Sequence, residues 1–161
     1  MGIGDSKLEK ELGDSIPETA RLYGFDNLGN TCYLNAILQA LSFTVPFREN
    51  LLKYYAALKQ EQKLQGGAAN DDDLAYALAE LYTAVQSQRK RVGSFTPRAF
   101  VKLLRKSNEL FGSFAQQDGH EFYNYLINTV LERIQQRDFR RAPGAYLWLG
   151  AEVFVGADRR D

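Results

Sequence analysis

Apolar residues recur at steps of three and four along most of this chain, which is the spacing of one buried face of an α-helix. The clearest run extends from about Thr31 to Phe43. The same spacing predicts further helices, and a strand pattern is present only at Tyr146 to Val155. The predicted fold class is therefore mainly α. The positions assigned to buried helix faces are Leu34, Ile37, Leu38, Leu41, Leu74, Ala77, Leu78, Leu81, Val85, Phe100, Leu103, Leu104, Phe122, Leu126, Val130 and Ile134.

Polar segments that contain glycine and asparagine separate the predicted helices. Residues 1 to about 22 are expected to form a flexible tail, and Tyr23 to Asn30 a loop. Two more loops are predicted at Gln60 to Asn70 and at Asn108 to Ala115. Good capping or first-turn residues mark where the helices begin. They are Thr31, Pro46 (for a helix reaching about Lys59), the run Asp71–Asp73, Thr96 with Pro97, and Asp118 with Glu121.

Composition and charge exclude several classes of protein. The chain has 161 residues, 45% of them apolar, which is enough for one domain with a real core. Basic and acidic residues number 20 each, so no bulk charge favours nucleic acid or an anionic membrane. A single cysteine excludes an internal disulfide framework, and no apolar run is long enough for a membrane span. The basic run Arg89–Arg91 suits the negative end of a helix better than a nucleic-acid contact.

The first six residues, Met1 to Ser6, fit the template for N-myristoylation at Gly2. The alternative is a flexible start that matches the template by chance. One myristoyl chain would give only weak, reversible membrane attachment. No large basic cluster follows that could act as a second membrane signal.

The only cysteine, Cys32, is the strongest candidate for chemistry. It lies just after a glycine-bearing loop and at the predicted start of a helix, where unpaired backbone N–H groups and the helix dipole favour a thiolate. Gly29 allows close approach of a ligand to the backbone, and the amides of Asn27 and Asn35 could donate to a carbonyl oxygen that becomes negative. The alternative is that Cys32 is a small buried residue of the core.

Two segments resemble the motifs of one enzyme family. Residues Tyr23 to Leu41 resemble the cysteine box of the ubiquitin-specific proteases, which are papain-like deubiquitinases, and residues Gln116 to Phe122 resemble a second stretch of the same family. The resemblance implies the helical thumb lobe of a papain-like peptidase. It also implies the site residues: Cys32 as nucleophile, Asn27 as oxyanion donor, and Gln117, Asp118 and Glu121 as contacts to the C-terminal tail of ubiquitin.

The resemblance implies further properties of the whole protein. It is greatest to a subgroup that WD-repeat proteins activate, so the expected partners are ubiquitin, ubiquitinated proteins and a WD-repeat activator. The expected location is cytoplasmic or nuclear, and neither a cofactor nor a metal is implied for these residues. The resemblance covers about residues 1–137, and residues 23–161 are interpreted as an incomplete, N-terminal portion of the peptidase domain.

The family's catalytic histidine segment and its paired Cys-x-x-Cys zinc ligands do not occur in these 161 residues. His120 matches a helix position that is not the catalytic base in the family, and a packed or capping role is expected for it. The chain alone is therefore expected to cleave ubiquitin conjugates poorly. Two alternatives stay open: a non-catalytic fragment that binds ubiquitin or a partner, and a structural helical protein with a core cysteine.

Overall fold

The structure, a computed structural model, describes Pro17 and residues 19–65, 73–113 and 115–141. This part of the chain contains six helices and two short strands, which confirms the predicted mainly-α fold. None of its helices combines the length and the apolar character needed to cross a membrane. In chain order the elements are β1 Leu22–Phe25, α1 Cys32–Phe43, α2 Val45–Gln65, α3 Leu74–Gln86, β2 Val92–Phe95, α4 Arg98–Ser107, α5 Glu109–Gly112 and α6 Gly119–Arg141.

The two strands form a parallel pair in which Leu22 lies opposite Val92 and Phe25 opposite Phe95. The loop predicted at 23–30 is therefore wrong for its first three residues, and Leu22, assigned to the tail, begins β1. Tyr23 packs its ring over Gly93, where a Cβ atom would come within 2.7 Å of the ring. The strand pattern at 146–155 lies outside the described residues.

One apolar core joins the helices. The predicted stripes of α1, α4 and α6 are confirmed at most positions, because Leu34, Leu38 and Phe122 are almost completely buried. In α3 the predicted positions Ala77 and Val85 are only half-buried. The buried face instead includes Tyr82, whose hydroxyl donates to the carbonyl of Leu38 at 2.9 Å. Burial raises the pKa of this phenol strongly. The core is therefore centred where α1, α3 and α6 meet.

Two predicted loops differ from the structure. Helix α2 continues to Gln65, so the loop expected from Gln60 is wrong for its first six residues. The loop expected at 108–115 contains the short helix α5, which Asn108 caps by accepting from the backbone N–H of Leu110 at 2.9 Å. The predicted aspartate cap before α3 is confirmed at Asp73, whose carboxylate accepts from two backbone N–H groups. Asp71, Asp72 and residues 66–70 lie outside the described ranges.

Candidate active site

Cys32 is the first residue of α1, and its side chain is exposed. The alternative of a buried core cysteine is therefore wrong. The first intrahelical hydrogen bond of α1 runs from the N–H of Asn35 to the carbonyl of Thr31 at 2.9 Å. No side chain caps this end of the helix. The thiol thus lies at an open helix N-terminus, where backbone N–H groups point outward.

A tight turn leads into this helix. Gly29 and Asn30 both have positive φ, at 81° and 50°, a conformation that glycine adopts freely and asparagine more readily than other residues. Thr31 closes the turn and is buried, with 3% of its surface exposed. Its hydroxyl accepts from the backbone N–H of Leu28 at 2.9 Å. Thr31 occupies the predicted N-cap position of α1, but its side chain makes no capping bond because its hydroxyl is used in the preceding turn.

The two asparagines near Cys32 are used differently. Asn27 is exposed, and its Oδ1 accepts from the N–H and the hydroxyl of Thr31 at 3.0 and 3.1 Å. Those bonds fix the orientation of the amide and leave its NH2 group to donate elsewhere. Asn35 instead donates to the carbonyls of Phe25 and Asp26 at 3.1 and 3.3 Å. The expectation that both amides face the sulfur is therefore wrong for Asn35, which ties β1 to α1.

Groups from distant parts of the chain hold the same turn. The N–H of Asp26 donates to the carbonyl of Phe95 at 3.0 Å, which extends the strand pairing, and the hydroxyl of Thr96 donates to the carboxylate of Asp26. Arg105, on the last turn of α4, donates to the carbonyl of Leu28 at 3.0 Å. Sequence reasoning missed Arg105, since a basic residue near a helix C-terminus is ordinary and nothing local indicates its distant acceptor.

The second motif forms the start of α6. Asp118 caps this helix, since its Oδ1 accepts from the N–H of His120 at 2.6 Å and from that of Glu121 at 3.1 Å. The side chains of Asp118 and Glu121 are both exposed. Gln117 is half-buried and donates to the hydroxyl of Ser113 at 3.0 Å. The start of α6 therefore presents two carboxylates to solvent, and only one carboxylate oxygen is used by the cap.

Aromatic packing brings the two motifs together. The ring of Tyr33, next to Cys32, lies 5.6 Å from that of Phe122 in α6 and 6.2 Å from that of Phe111 in α5. Phe111 and Phe122 are themselves 5.4 Å apart, edge to face. The pKa of the Tyr33 phenol is raised, mainly by burial; the positive charge of Arg105 opposes this shift, and Cys32 adds to it. Arg105, Cys32 and the start of α6 therefore all lie near Tyr33.

Comparisons with known proteins agree with this arrangement. A family model described as "Ubiquitin carboxyl-terminal hydrolase" matches residues 23–154, most of the chain. The chain belongs to the ubiquitin carboxyl-terminal hydrolase family. This confirms the family that the two motifs indicated.

Three curated relatives carry the family name. "Ubiquitin carboxyl-terminal hydrolase 4" of Arabidopsis thaliana is 47% identical over 136 residues, which are 84% of this chain and 35% of the relative. "Ubiquitin carboxyl-terminal hydrolase 46" of Caenorhabditis elegans is 45% identical over 136 residues, 83% of this chain and 30% of the relative. "Ubiquitin carboxyl-terminal hydrolase 12" of Salmo salar is 41% identical over 137 residues, 84% and 34% respectively. The chain thus spans about a third of the length of these relatives.

His120, the single histidine of this family member, lies at the surface. Its side chain is exposed, and its Nε2 is 3.0 Å from the amide nitrogen of Asn124 one turn further along α6. The expectation of a packed side chain is therefore wrong, and the capping bond at this position is made by Asp118 to the His120 backbone. Within residues 19–65, 73–113 and 115–141, no group of three or more metal-binding side chains is close enough together to hold an ion.

Proposed function

We propose that this chain supplies the nucleophile and part of the substrate channel of a thiol-dependent deubiquitinase. The reaction is hydrolysis of the bond that follows the C-terminal glycine of ubiquitin. The observation that carries the proposal is the exposed Cys32 at the uncapped N-terminus of α1, packed through Tyr33 against the acidic start of α6. Family membership supports the same chemistry.

Each group near Cys32 has a role in the proposed reaction. The Cys32 sulfur forms a bond to the carbonyl carbon of the terminal glycine, and the carbonyl oxygen becomes negative. The Asn27 NH2 group and the N–H groups at the start of α1 are donors suited to that oxygen. The amine of the substrate then leaves with a proton, and water releases ubiquitin from the sulfur.

The acidic start of α6 suits the tail of ubiquitin, which is extended, carries two arginines and ends in Gly-Gly. Oδ1 of Asp118 is occupied by the helix cap, but Oδ2 has no bond in the described part of the chain and can accept from a guanidinium. Glu121 is exposed one turn into the helix and adds a second carboxylate. Gln117, which its bond to Ser113 orients, lies directly before them. Capping and tail binding are therefore compatible at Asp118.

A base must take the thiol proton and protonate the leaving amine. These 161 residues contain one histidine, and its ring pairs with Asn124 on an exposed face of α6. We therefore propose that the chain alone turns over slowly, although it binds and reacts with ubiquitin electrophiles. Dependence on a WD-repeat activator is proposed from sequence resemblance alone, at stretches such as Leu103–Phe111, and co-elution of the chain with a WD-repeat protein on a sizing column would test it.

Since Cys32 is the only cysteine, labelling reports on a single site. We expect the purified chain to be labelled by ubiquitin bearing a C-terminal vinyl methyl ester, and Cys32→Ser to abolish labelling while leaving the melting temperature unchanged. The matched control is the same ubiquitin probe with both tail arginines replaced by alanine, which should react more slowly with the wild-type chain.

Two results would contradict parts of this proposal. Equal labelling by the intact probe and by the probe without its tail arginines would contradict the proposal that the acidic start of α6 binds the tail of ubiquitin. Rapid hydrolysis of a fluorogenic ubiquitin amide by the purified chain, lost in Cys32→Ala, would contradict the proposal that the chain alone turns over slowly. Labelling without any turnover would favour the alternative of a ubiquitin-binding fragment.

A further inference from the structure

Arg105 contacts the turn before Cys32 through two backbone carbonyls. Its guanidinium donates to the carbonyl of Leu28 at 3.0 Å and reaches that of Gly29 at the longer distance of 3.5 Å. Its charge also acts on the hydroxyl of Tyr33, which follows Cys32. No side-chain cap at the start of α1 helps to fix this segment.

The location of Arg105 is itself restricted by packing. It lies on the last turn of α4, and the short helix α5 folds back against it. Residue 112 in α5 is a glycine, at which a Cβ atom would lie 3.1 Å from the carbonyl oxygen of Arg105. The side chain is half-buried, and its bond to the Leu28 carbonyl is partly shielded from water. The backbone of Arg105 is therefore fixed by its packing against α5, and its guanidinium bonds the turn from that position.

Fixing these carbonyls also fixes the N–H groups of the turn. The described peptide bonds are all trans, and in a trans peptide the N–H points opposite to the C=O. When the Leu28 carbonyl faces Arg105, the N–H of Gly29 faces away from it. The positive φ of Asn30 is uncommon in a free chain, and glycine at position 29 has many accessible conformations, so this turn needs outside bonds to keep one conformation.

We propose that Arg105 is a positioning residue for the reaction of Cys32. It holds the turn of residues 28–30 so that the sulfur, the Asn27 amide and the start of α1 face one carbonyl group of the substrate. This inference rests on the proposed function. Arg105 contacts backbone carbonyls and acts through the turn, so its removal changes the alignment of the reacting groups and leaves the thiol itself in place.

The test compares Arg105→Gln, Arg105→Lys and the control Arg98→Gln, which removes an exposed arginine from the same helix. Hydrogen exchange is followed at the amides of Leu28 and Thr31, which are bonded within the turn. Labelling rates are measured with the ubiquitin vinyl methyl ester and with iodoacetamide. The first electrophile needs an aligned site, whereas the second needs only an accessible thiolate.

We expect Arg105→Gln to speed exchange at both amides and to slow ubiquitin-probe labelling by about tenfold or more, since small misplacements of reacting groups can cost ~100-fold. Iodoacetamide labelling should change by less than about twofold, because the thiol stays exposed. Arg105→Lys, which can reach one carbonyl, should recover part of both effects. Arg98→Gln should behave as the wild type does.

Several outcomes overturn the inference. Unchanged exchange in Arg105→Gln would show that the turn does not depend on the guanidinium. Faster exchange with unchanged probe labelling would show that the turn does not align the reaction. An equal fall with both electrophiles would indicate general damage to the fold, and if Arg105→Gln does not fold, Arg105→Lys decides by the same readouts. A wild-type chain that the ubiquitin probe never labels contradicts the proposed function, while the exchange data still report whether Arg105 holds the turn.

Discussion

The starts of α1 and α6 lie together in the candidate active site, and only the start of α6 has a side-chain cap. At α6 the carboxylate of Asp118 accepts from two backbone N–H groups. At α1 the residue in the same position, Thr31, turns its hydroxyl back into the preceding turn and leaves the helix without a side-chain cap. Helix α3 follows the first pattern, with Asp73 bonded to the N–H groups of Ala75 and Tyr76 at 2.9 and 3.1 Å.

The difference lies in whether a side chain satisfies the first backbone N–H groups of the helix. A side-chain cap stabilises a helix by about 1 kcal/mol, because it satisfies N–H groups that otherwise bond only to water. At Cys32 no side chain bonds these N–H groups, and in the proposed reaction they are donors for the oxygen of the substrate. Helix α1 therefore lacks the stabilisation of a side-chain cap, and bonds from Thr31, Asn35 and Arg105 hold the turn before Cys32.

The largest expected effect comes from breaking the turn at Thr31. In Thr31→Val the buried hydroxyl is lost, the Leu28 N–H loses its acceptor, and the Asn27 amide loses one of its two restraints. We expect the free energy of unfolding to fall by about 1–3 kcal/mol. Ubiquitin-probe labelling of Cys32 should fall as well. Urea denaturation and labelling kinetics measure the two effects.

Thr44 provides the matched control, because its exposed hydroxyl donates to the carbonyl of Ala40 at the other end of α1. Thr44→Val should change the unfolding free energy by less than ~0.5 kcal/mol and leave labelling unchanged. Equal losses for Thr31→Val and Thr44→Val would mean that Thr31 has no special part in the turn.

A smaller effect is expected at the two aspartate caps. Asp118→Ala and Asp73→Ala should each lower the unfolding free energy by about 1 kcal/mol, since the two carboxylates make the same pair of bonds. Only the change at Asp118 should weaken ubiquitin binding, measured by calorimetry with the whole chain. Asp118→Asn sharpens the comparison, because asparagine caps as well as aspartate but lacks the charge. If Asp118→Asn binds ubiquitin as the wild type does, Asp118 is a cap and no more.

The smallest effect is expected at Gly119, the first residue of α6. A Cβ atom there would meet only Ile37 Cγ1, at 4.0 Å, which is an ordinary contact. Gly119→Ala should therefore raise the unfolding free energy by about 0.5–1 kcal/mol, since alanine loses less conformational entropy on folding. Gly93→Ala is the contrasting variant, because its Cβ would collide with the Tyr23 ring and should destabilise the chain. A destabilising Gly119→Ala would show that the contact with α1 tolerates no added atom.

The sequence predicts most of the helices because their apolar stripes are local and long. Leu34, Leu38 and Leu41 show the pattern in twelve residues of α1, and the structure buries all three. The strands could not be predicted in the same way. Each has four residues, each contains a glycine, and each pairs in parallel with a segment far along the chain. Nothing in either segment alone distinguishes it from a loop.

The site divides in the same way. Cys32 and Asp118 follow from short motifs and from helix-start chemistry that is local. What the side chains of Thr31 and Asn35 do depends on which donors and acceptors surround them after folding. Thr31 therefore has the predicted N-cap position without the capping bond, and the predicted role of Asn35 was wrong. The contact of Arg105 is the hardest to predict, because its acceptor, the Leu28 carbonyl, is 77 residues away in the sequence.

The parallel pairing of β1 with β2 has a consequence for biosynthesis. Cys32 is synthesised before the groups that hold its turn, because Thr96 and Arg105 lie 70 and 77 residues after their partners, Asp26 and Leu28. Closing so long a loop costs entropy before any contact repays it. A nascent chain that has emerged only through α3 therefore presents Cys32 beside a turn that is not yet held, and the turn is complete only once α4 has been synthesised and docked.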